Sequence, residues 1–342
     1  TRWRACRFEQ MEPRRLLAAG PPEIQVGAVY YEDAAGADEG VDQLHITWTG
    51  GAPGTTLTQL TIRTDKNGDG LYSNGDVLFD TPSDKIKVFG SADVTVEKHT
   101  GIDQVKIRPV DDGDMMLVIV CIGFHAGEKL VLTFDVDEWG DDAGGTLPPE
   151  QVITAEVEGG EFQGSKLEAT FSADHYAEAG GSDLFIDWYD SKFEGSGLDL
   201  PADDLGPPGI PGHRAHTAGA IFSVTQTPLP ITIAGTVFED MNANNKQESG
   251  DRGLAGVELE LYEWQGNDYV PTGKTATTNA NGDYKFEGVL PGTYKIVEGP
   301  VKGYLDVGAR AGTVDGQPRG KVMSDNEVGK IELLGGENSV DN

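Results

Sequence analysis

ITIAGTVFEDMNANNKQESGDRGLAGVELELYEW, residues 231–264, decides the architecture of the C-terminal part of the chain. It opens with a strand-like run and passes through a polar Asp/Asn loop. It then resumes with Val257, Leu259 and Leu261 alternating with polar residues, the period-two signature of a half-buried strand. The following stretch, TGKTATTNANGDYKFEGVLPGTYKIVE (272–298), places an Asn281-Gly282 turn before Tyr284 and Phe286. Pro291-Gly292 comes next, ahead of Tyr294, Ile296 and Val297. Short alternating runs joined by tight turns predict a small all-β sandwich.

The preceding two hundred residues repeat the pattern. Leu44/Ile46/Trp48, Leu130/Leu132/Phe134/Val136, Leu167/Ala169/Phe171 and Leu184/Ile186/Trp188 alternate with polar residues, and Leu57/Thr61 do so less cleanly. Gly- and Asp-rich turns are expected at 50–54, 111–114, 141–145 and 180–183, and no ten-residue helical stripe competes. The expectation is all-β throughout: an antiparallel, jelly-roll-like β-sandwich, then a smaller prealbumin-like or Ig-like β-sandwich. LDLPADDLGPPGIPG (198–212) reads as a long loop, and TPLP (227–230) as a stiff connector that separates the two. The domains are set at a basic tail over 1–22, an acidic β-sandwich over 23–229, and the C-terminal module over 230–342.

A chain of 342 residues fits two domains. Its 26 basic and 57 acidic residues give a net charge of -31, most of it in the middle block. Such a surface repels phosphate backbones and anionic lipid, so nucleic acid and membrane-surface partners are not expected. It suits divalent cations, whose hard character matches carboxylate oxygen, and it equally serves solubility. The longest apolar run, MMLVIVCI (115–122), is far short of the ~20 residues of a membrane helix. Cys6 and Cys121 make no disulfide framework; Cys121 reads as a buried small hydrophobe.

The C-terminal run strongly resembles the B-type repeats of Gram-positive surface adhesins, the SdrD B-like or Cna B-like family. The motifs that carry this are GTVFED (235–240), GLAGV (253–257), TNANGDYKF (278–286) and LPGTY (290–294). The resemblance implies a prealbumin-like fold and an extracellular stalk or adhesion role. Relatives continue past the region matched by GGENSVDN (335–342) with a closing strand, which leaves the last strand of this module in question. An open edge there would accept a strand from a neighbour, making a surface filament one reading. Some relatives carry a Lys-Asn isopeptide crosslink from the first strand; residues 231–239 contain no lysine, so none is expected. At the other end, FEQMEPRRLLAA (8–19) resembles a motif near the N-termini of large secreted or surface proteins of planctomycete bacteria, and this implies export. The competing reading is a basic tail on a cytosolic protein.

The sharpest chemical constellation is TDKNGDGLYSNGD (64–76). Asp65, Asn67 and Asp69 stand at loop positions 1, 3 and 5, Gly70 at 6, the Leu71 carbonyl at 7, Ser73 at 9 and Asp76 at 12. Odd positions wrap oxygens around one point, and the glycine permits the turn that returns the last carboxylate. A second copy places Asp240, Asn242, Asn244, the Lys246 carbonyl, Glu248 and Asp251 in the same frame, with Asn245 at position 6. The family resemblance implies calcium in this second loop. Two Ca2+ sites are therefore expected, at about 10^-4 M or somewhat tighter; the alternative for each is a solvated Asx turn.

No other motif points to catalysis. His213 and His216 lack a third ligand, and no nucleophile elbow or phosphate loop is present. Acid pairs such as Asp137/Glu138 and Asp141/Asp142 are expected on the surface from composition alone. Alternation places Trp48 and Trp188 with core residues, although Trp188 with Tyr189 is the best sugar-stacking candidate. The function read from the sequence is a non-catalytic extracellular structural or adhesive protein with calcium-stabilised modules. Its partner would be a surface protein or polysaccharide. The alternatives are a carbohydrate- or protein-binding accessory module of a secreted enzyme, and a filament subunit.

Overall fold

The computed structural model describes residues 21–31, 42–82, 92–139, 153–156, 162–187, 198–199 and 217–341. The tail through residue 20, Cys6, Asp141/Asp142, Trp188/Tyr189, His213/His216 and nearly all of the Pro/Gly loop lie outside them. The chain divides into two compact units, with the boundary in sequence between Thr227 and Pro228. Among the described residues every regular element is a strand.

The larger unit contains β1 (Glu23–Tyr31), β2 (Asp42–Gly50), β3 (Thr56–Arg63), β4 (Val77–Phe79), β5 (Thr95–Thr100), β6 (Gln104–Ile107), β7 (Met116–Phe124), β8 (Lys129–Phe134), β9 (Val136–Trp139), β10 (Ile153–Glu156), β11 (Lys166–Ser172), β12 (Ala179–Leu184), β13 (Ile186–Asp187) and β14 (Thr217–Thr225). Six strands form one sheet in the order β13-β14-β1-β2-β8-β5, and five form another in the order β12-β11-β3-β7-β6. All pairings are antiparallel. Trp48 of the first sheet is fully buried and meets Phe171 and Phe124 of the second edge-on, at 5.1 and 6.5 Å. One continuous apolar core thus fills the space between the sheets. A third, small sheet, β10-β9-β4, carries the fully buried Val77, Leu78 and Phe79.

Alternation translates directly into burial where the ladder is regular: Leu44, Ile46 and Trp48 are all fully buried. In β3 a bulge between Leu57 and Gln59 switches the parity, so Leu57, Leu60 and Ile62 share the core face. This accounts for the imperfect period of that segment.

Two expectations are corrected. Gly180–Asp183 is no turn; it lies in β12, where Gly180 and Gly181 pair with Thr170 and Ala169. Leu184/Ile186/Trp188 is not one inward-facing strand either. The chain leaves one sheet at Leu184, which is 47% exposed, and joins the other at Ile186. Phe185, between them, is the inward residue, packed edge-on against Phe162 at 4.9 Å, and Phe162 stacks on Tyr30 at 4.1 Å. Aromatic packing at the crossing overrides the local period.

Cys121 lies on the inward face of β7 with Leu117 and Ile119. Burial pushes its thiol up to about 12.

The smaller unit contains β15 (Ile231–Thr236), β16 (Phe238–Glu239), β17 (Arg252–Gly253), β18 (Glu258–Trp264), β19 (Tyr269–Thr277), β20 (Asp283–Val289), β21 (Gly292–Glu298), β22 (Thr313–Val314), β23 (Gln317–Pro318), β24 (Lys321–Ser324), β25 (Glu327–Leu333) and β26 (Asn338–Ser339). A five-stranded sheet, β19-β18-β21-β25-β24, shares a core with a three-stranded sheet, β20-β15-β26. Leu259, Leu261, Tyr284, Phe286, Tyr294 and Ile296 all point inward, as their alternation predicts. The two-residue strand β26 lies within GGENSVDN, before the closing strand that the resemblance places past it. It pairs in parallel with the first strand through Thr232↔Asn338 and Ile233↔Ser339. That edge of β15 is covered at these two positions.

Candidate metal centres

Loop 65–76 links β3 to β4 and wraps around its own carboxylates. Asp65 accepts the N–H groups of Gly68 (2.7 Å) and Gly70 (2.7 Å), Asn67 Oδ1 accepts that of Asp69 (3.0 Å), and Asp69 Oδ1 that of Leu71 (2.7 Å). Asp76, only 1% exposed, closes the loop. Its Oδ1 accepts Lys66 N–H (2.9 Å), and its Oδ2 accepts both the N–H and the hydroxyl of Ser73 (2.8 Å each). Gly75 N–H donates to the Trp139 carbonyl (2.8 Å), Trp139 N–H to that of Asp76 (2.7 Å), and the Tyr72 hydroxyl to that of Gly113 (3.1 Å). These bonds tie the loop to β9 and to the 111–114 turn.

Loop 240–251 reproduces this frame at a constant offset. Asn245 N–H donates to Asp240 Oδ2 (2.7 Å), Asn244 N–H to Asn242 Oδ1 (3.1 Å), and Lys246 N–H to Asn244 Oδ1 (2.8 Å). Asp251 accepts Met241 N–H (3.2 Å) and Glu248 N–H (2.8 Å), as Asp76 accepts Lys66 and Ser73. The amide of Asn242 reaches Glu248 (3.1 Å) as that of Asn67 reaches Ser73 (2.6 Å). The backbone follows suit. Gly68 and Gly70 both have φ 74°, and their counterparts Ala243 and Asn245 adopt 55° and 59°, left-handed values that a side chain meets at a cost. Burial works to raise the Asp240 carboxyl, but the N–H groups of Asn245, Asn242, Asn244 and Ala243 outweigh it and hold the carboxyl below the usual range.

Hydrogen bonds link side chains of each loop to its own backbone, and every candidate donor is oxygen: carboxylate, amide, hydroxyl or main-chain carbonyl. That set fits a hard cation such as Ca2+. Among the described residues no three His, Cys, Asp or Glu side chains converge as a ready metal cage. A calcium loop of this kind would instead draw part of its shell from Asn, Ser and the main chain.

Two features escaped the sequence. Asp137, expected on the surface, is 5% exposed and lies near Asp80 and Asp112, themselves 3% and 5% exposed. Acids set inside apolar runs, VLFD (77–80) and FDVD (134–137), were the available signal. The other is a cavity of about 780 Å3 in the smaller unit, between loop 240–248 and segment 301–310. Glu298 lines it; burial, reinforced by the Asp306 charge, pushes that carboxyl up to about 7.

Comparison with known proteins adds a family to the smaller unit. Residues 231–338 match the family model of the SdrD B-like domain. Serine-aspartate repeat-containing protein C of Staphylococcus aureus strain N315 is 37% identical over 79 residues, and that of strain MRSA252 is 35% identical over 79 residues. These matches cover 23% of this chain and only 8% of those relatives. Among solved structures, the major pilin subunit BcpA of Bacillus cereus is 12% identical with a TM-score of 0.23. The alignment covers 89% of this chain and 64% of that one. The major pilin SpaD of Corynebacterium diphtheriae is 13% identical with a TM-score of 0.22, over 82% and 58% of the two chains. Similarity that low leaves the fold resting on the sheets described above. With the four motifs in order and the family match spanning its two sheets, the segment 231–338 of this chain resembles an SdrD B-like repeat.

Proposed function

We propose that the chain is a non-catalytic structural or adhesive part of a larger cell-surface protein, and that calcium at loops 65–76 and 240–251 stiffens its two β-sandwich units. The observation that carries this reading is the shared frame: the same hydrogen bonds and left-handed positions recur at a constant offset in the two units. A bound Ca2+ would neutralise clustered carboxylates and join strand ends, so that each unit projects as a rigid body. The resemblance to an SdrD B-like repeat supports a surface location. Among the described residues no helix is long and apolar enough to cross a membrane.

One observation favours the second reading, a carbohydrate- or protein-binding accessory module. Trp264 is 42% exposed and meets Tyr269 edge-on at 5.0 Å, and Lys295 Nζ lies over the rings of Tyr262 and Tyr269 at 4.9 and 5.6 Å. Trp48, by contrast, is buried and offers no ligand a face.

Brief protease treatment of intact source cells tests the location. Release of peptides from this chain before any cytosolic marker is the expected result. Peptides recovered only after lysis would contradict a surface role.

A further inference from the structure

The short strand β4 bears a loop ligand, Asp76, at one end and Asp80 at the other. Asp80 is 3% exposed, and its Oδ2 is buried without a hydrogen-bond partner. The backbone fixes it there. Asp80 N–H donates to the Asp135 carbonyl (3.0 Å), Ala92 N–H to the Asp80 carbonyl (3.2 Å), and Phe79 exchanges bonds with Gly113 and Asp114 (2.9 Å each). Asp137 enters from β9, where it pairs with Leu78, and Asp112 comes from the turn. Among the described residues, the charged groups that act on Asp80 are Asp135 before β9, Asp112 in the turn and Asp137 on β9, all carboxylates.

Buried carboxylates in contact cannot all ionise, because desolvation and mutual repulsion both disfavour the second charge. A cation or a proton could relieve them. No three of these acids converge as a metal cage, which favours the proton. We propose that Asp80 takes up a proton as pH falls through neutrality, shared with the carboxylates of Asp137 and Asp112, and that this proton latches the β4–β9 edge of the larger unit. Burial, then the charges of Asp135 and Asp112, push the Asp80 carboxyl up to about 7.

The sign follows from linkage. A carboxyl whose folded value lies above its ordinary 3.8 makes the folded state bind more protons than the unfolded state. Its contribution is full below about 3.8 and is lost as pH rises through about 7. For one proton, the folding equilibrium constant falls by up to about tenfold per pH unit in that window. Mild acid therefore tightens the larger unit, and alkaline conditions loosen the edge that also carries the first loop.

Two measurements on the full chain in chelator test this. The assigned carboxyl 13C shift of Asp80, followed from pH 4 to 9, is expected to titrate near neutrality. Protection factors of β1, β2 and β8 amides are expected to fall from pH 6 to 8 by up to about tenfold in the wild type. They should change far less in Asp80→Asn, which keeps the shape and cannot lose a proton. Reading amides of the larger unit separates this effect from Glu298. An Asp80 midpoint below pH 5, or parallel loss in both chains, would overturn the proposal. So would millimolar calcium lowering the Asp80 midpoint in a chain carrying Asp69→Ala and Asp240→Ala, since the relieving charge would then be a cation. The 13C titration needs no variant, so misfolding of Asp80→Asn leaves the test intact.

Discussion

Asp76→Ala is expected to destabilise the larger unit by roughly 2 to 4 kcal/mol even in chelator, a fall in melting temperature of about 4 to 16 °C. The carboxylate is nearly inaccessible to water and accepts three hydrogen bonds, from Lys66 N–H, Ser73 N–H and the Ser73 hydroxyl. Its removal leaves those donors without an acceptor at the point where loop 65–76 enters β4. Bonds to an ionised acceptor are among the stronger ones, and an unsatisfied donor costs the desolvation of that group. Asp69→Ala makes the contrast. Asp69 is exposed and its Oδ1 accepts only Leu71 N–H, so in chelator this variant should unfold within about 1 kcal/mol of the wild type. Denaturant titration of the three chains with excess chelator separates the frame of the loop from its metal. Equal midpoints for Asp76→Ala and wild type would show that the closing carboxylate does not hold the loop.

Gly253→Ala should unfold the smaller unit or expel its Asn281-Gly282 turn, at a cost above roughly 4 kcal/mol. A Cβ on Gly253 would lie 1.8 Å from the Asn281 carbonyl oxygen and 2.2 Å from its carbon, and neither backbone atom can yield as a side chain does. The contact is obligatory: Leu254 N–H donates to the Val237 carbonyl (2.8 Å) and Val237 N–H to the Gly282 carbonyl (2.9 Å), which press the turn against Gly253. Gly256→Ala is the control. There φ is 77° but nothing lies within 4 Å, so only the left-handed penalty of about 1 to 2 kcal/mol applies. Melting followed at Trp264, in the same unit, compares the two. A Gly253→Ala chain that melts like wild type would contradict the close approach.

Local rules made much of the molecule legible. Strands such as β2 and β18 announce themselves because one face of a regular ladder is buried, so period two in sequence becomes period two in burial. Both loops were legible for a similar reason, since oxygen donors at fixed odd offsets depend on a single turn of backbone. What was hidden depends on distant residues. The bulge in β3 and the inward Phe185 answer to partners across a sheet or the core. Asp80, Asp112 and the Asp135/Asp137 pair are far apart in sequence, and β4–β9 pairing with the 111–114 turn gathers them. An acidic composition made surface exposure the default for each of them, and only topology shows otherwise.

Calcium titration by calorimetry into the full chain, repeated with Asp69→Ala and Asp240→Ala, tests the central claim most directly. Two sites of about 10^-4 M or tighter are expected, one lost in each variant. Free calcium at twenty times the Kd should then favour folding of each unit about twentyfold over chelator. No heat at millimolar calcium, with melting curves unchanged by chelator, would contradict the account and leave both loops as ordinary Asx turns.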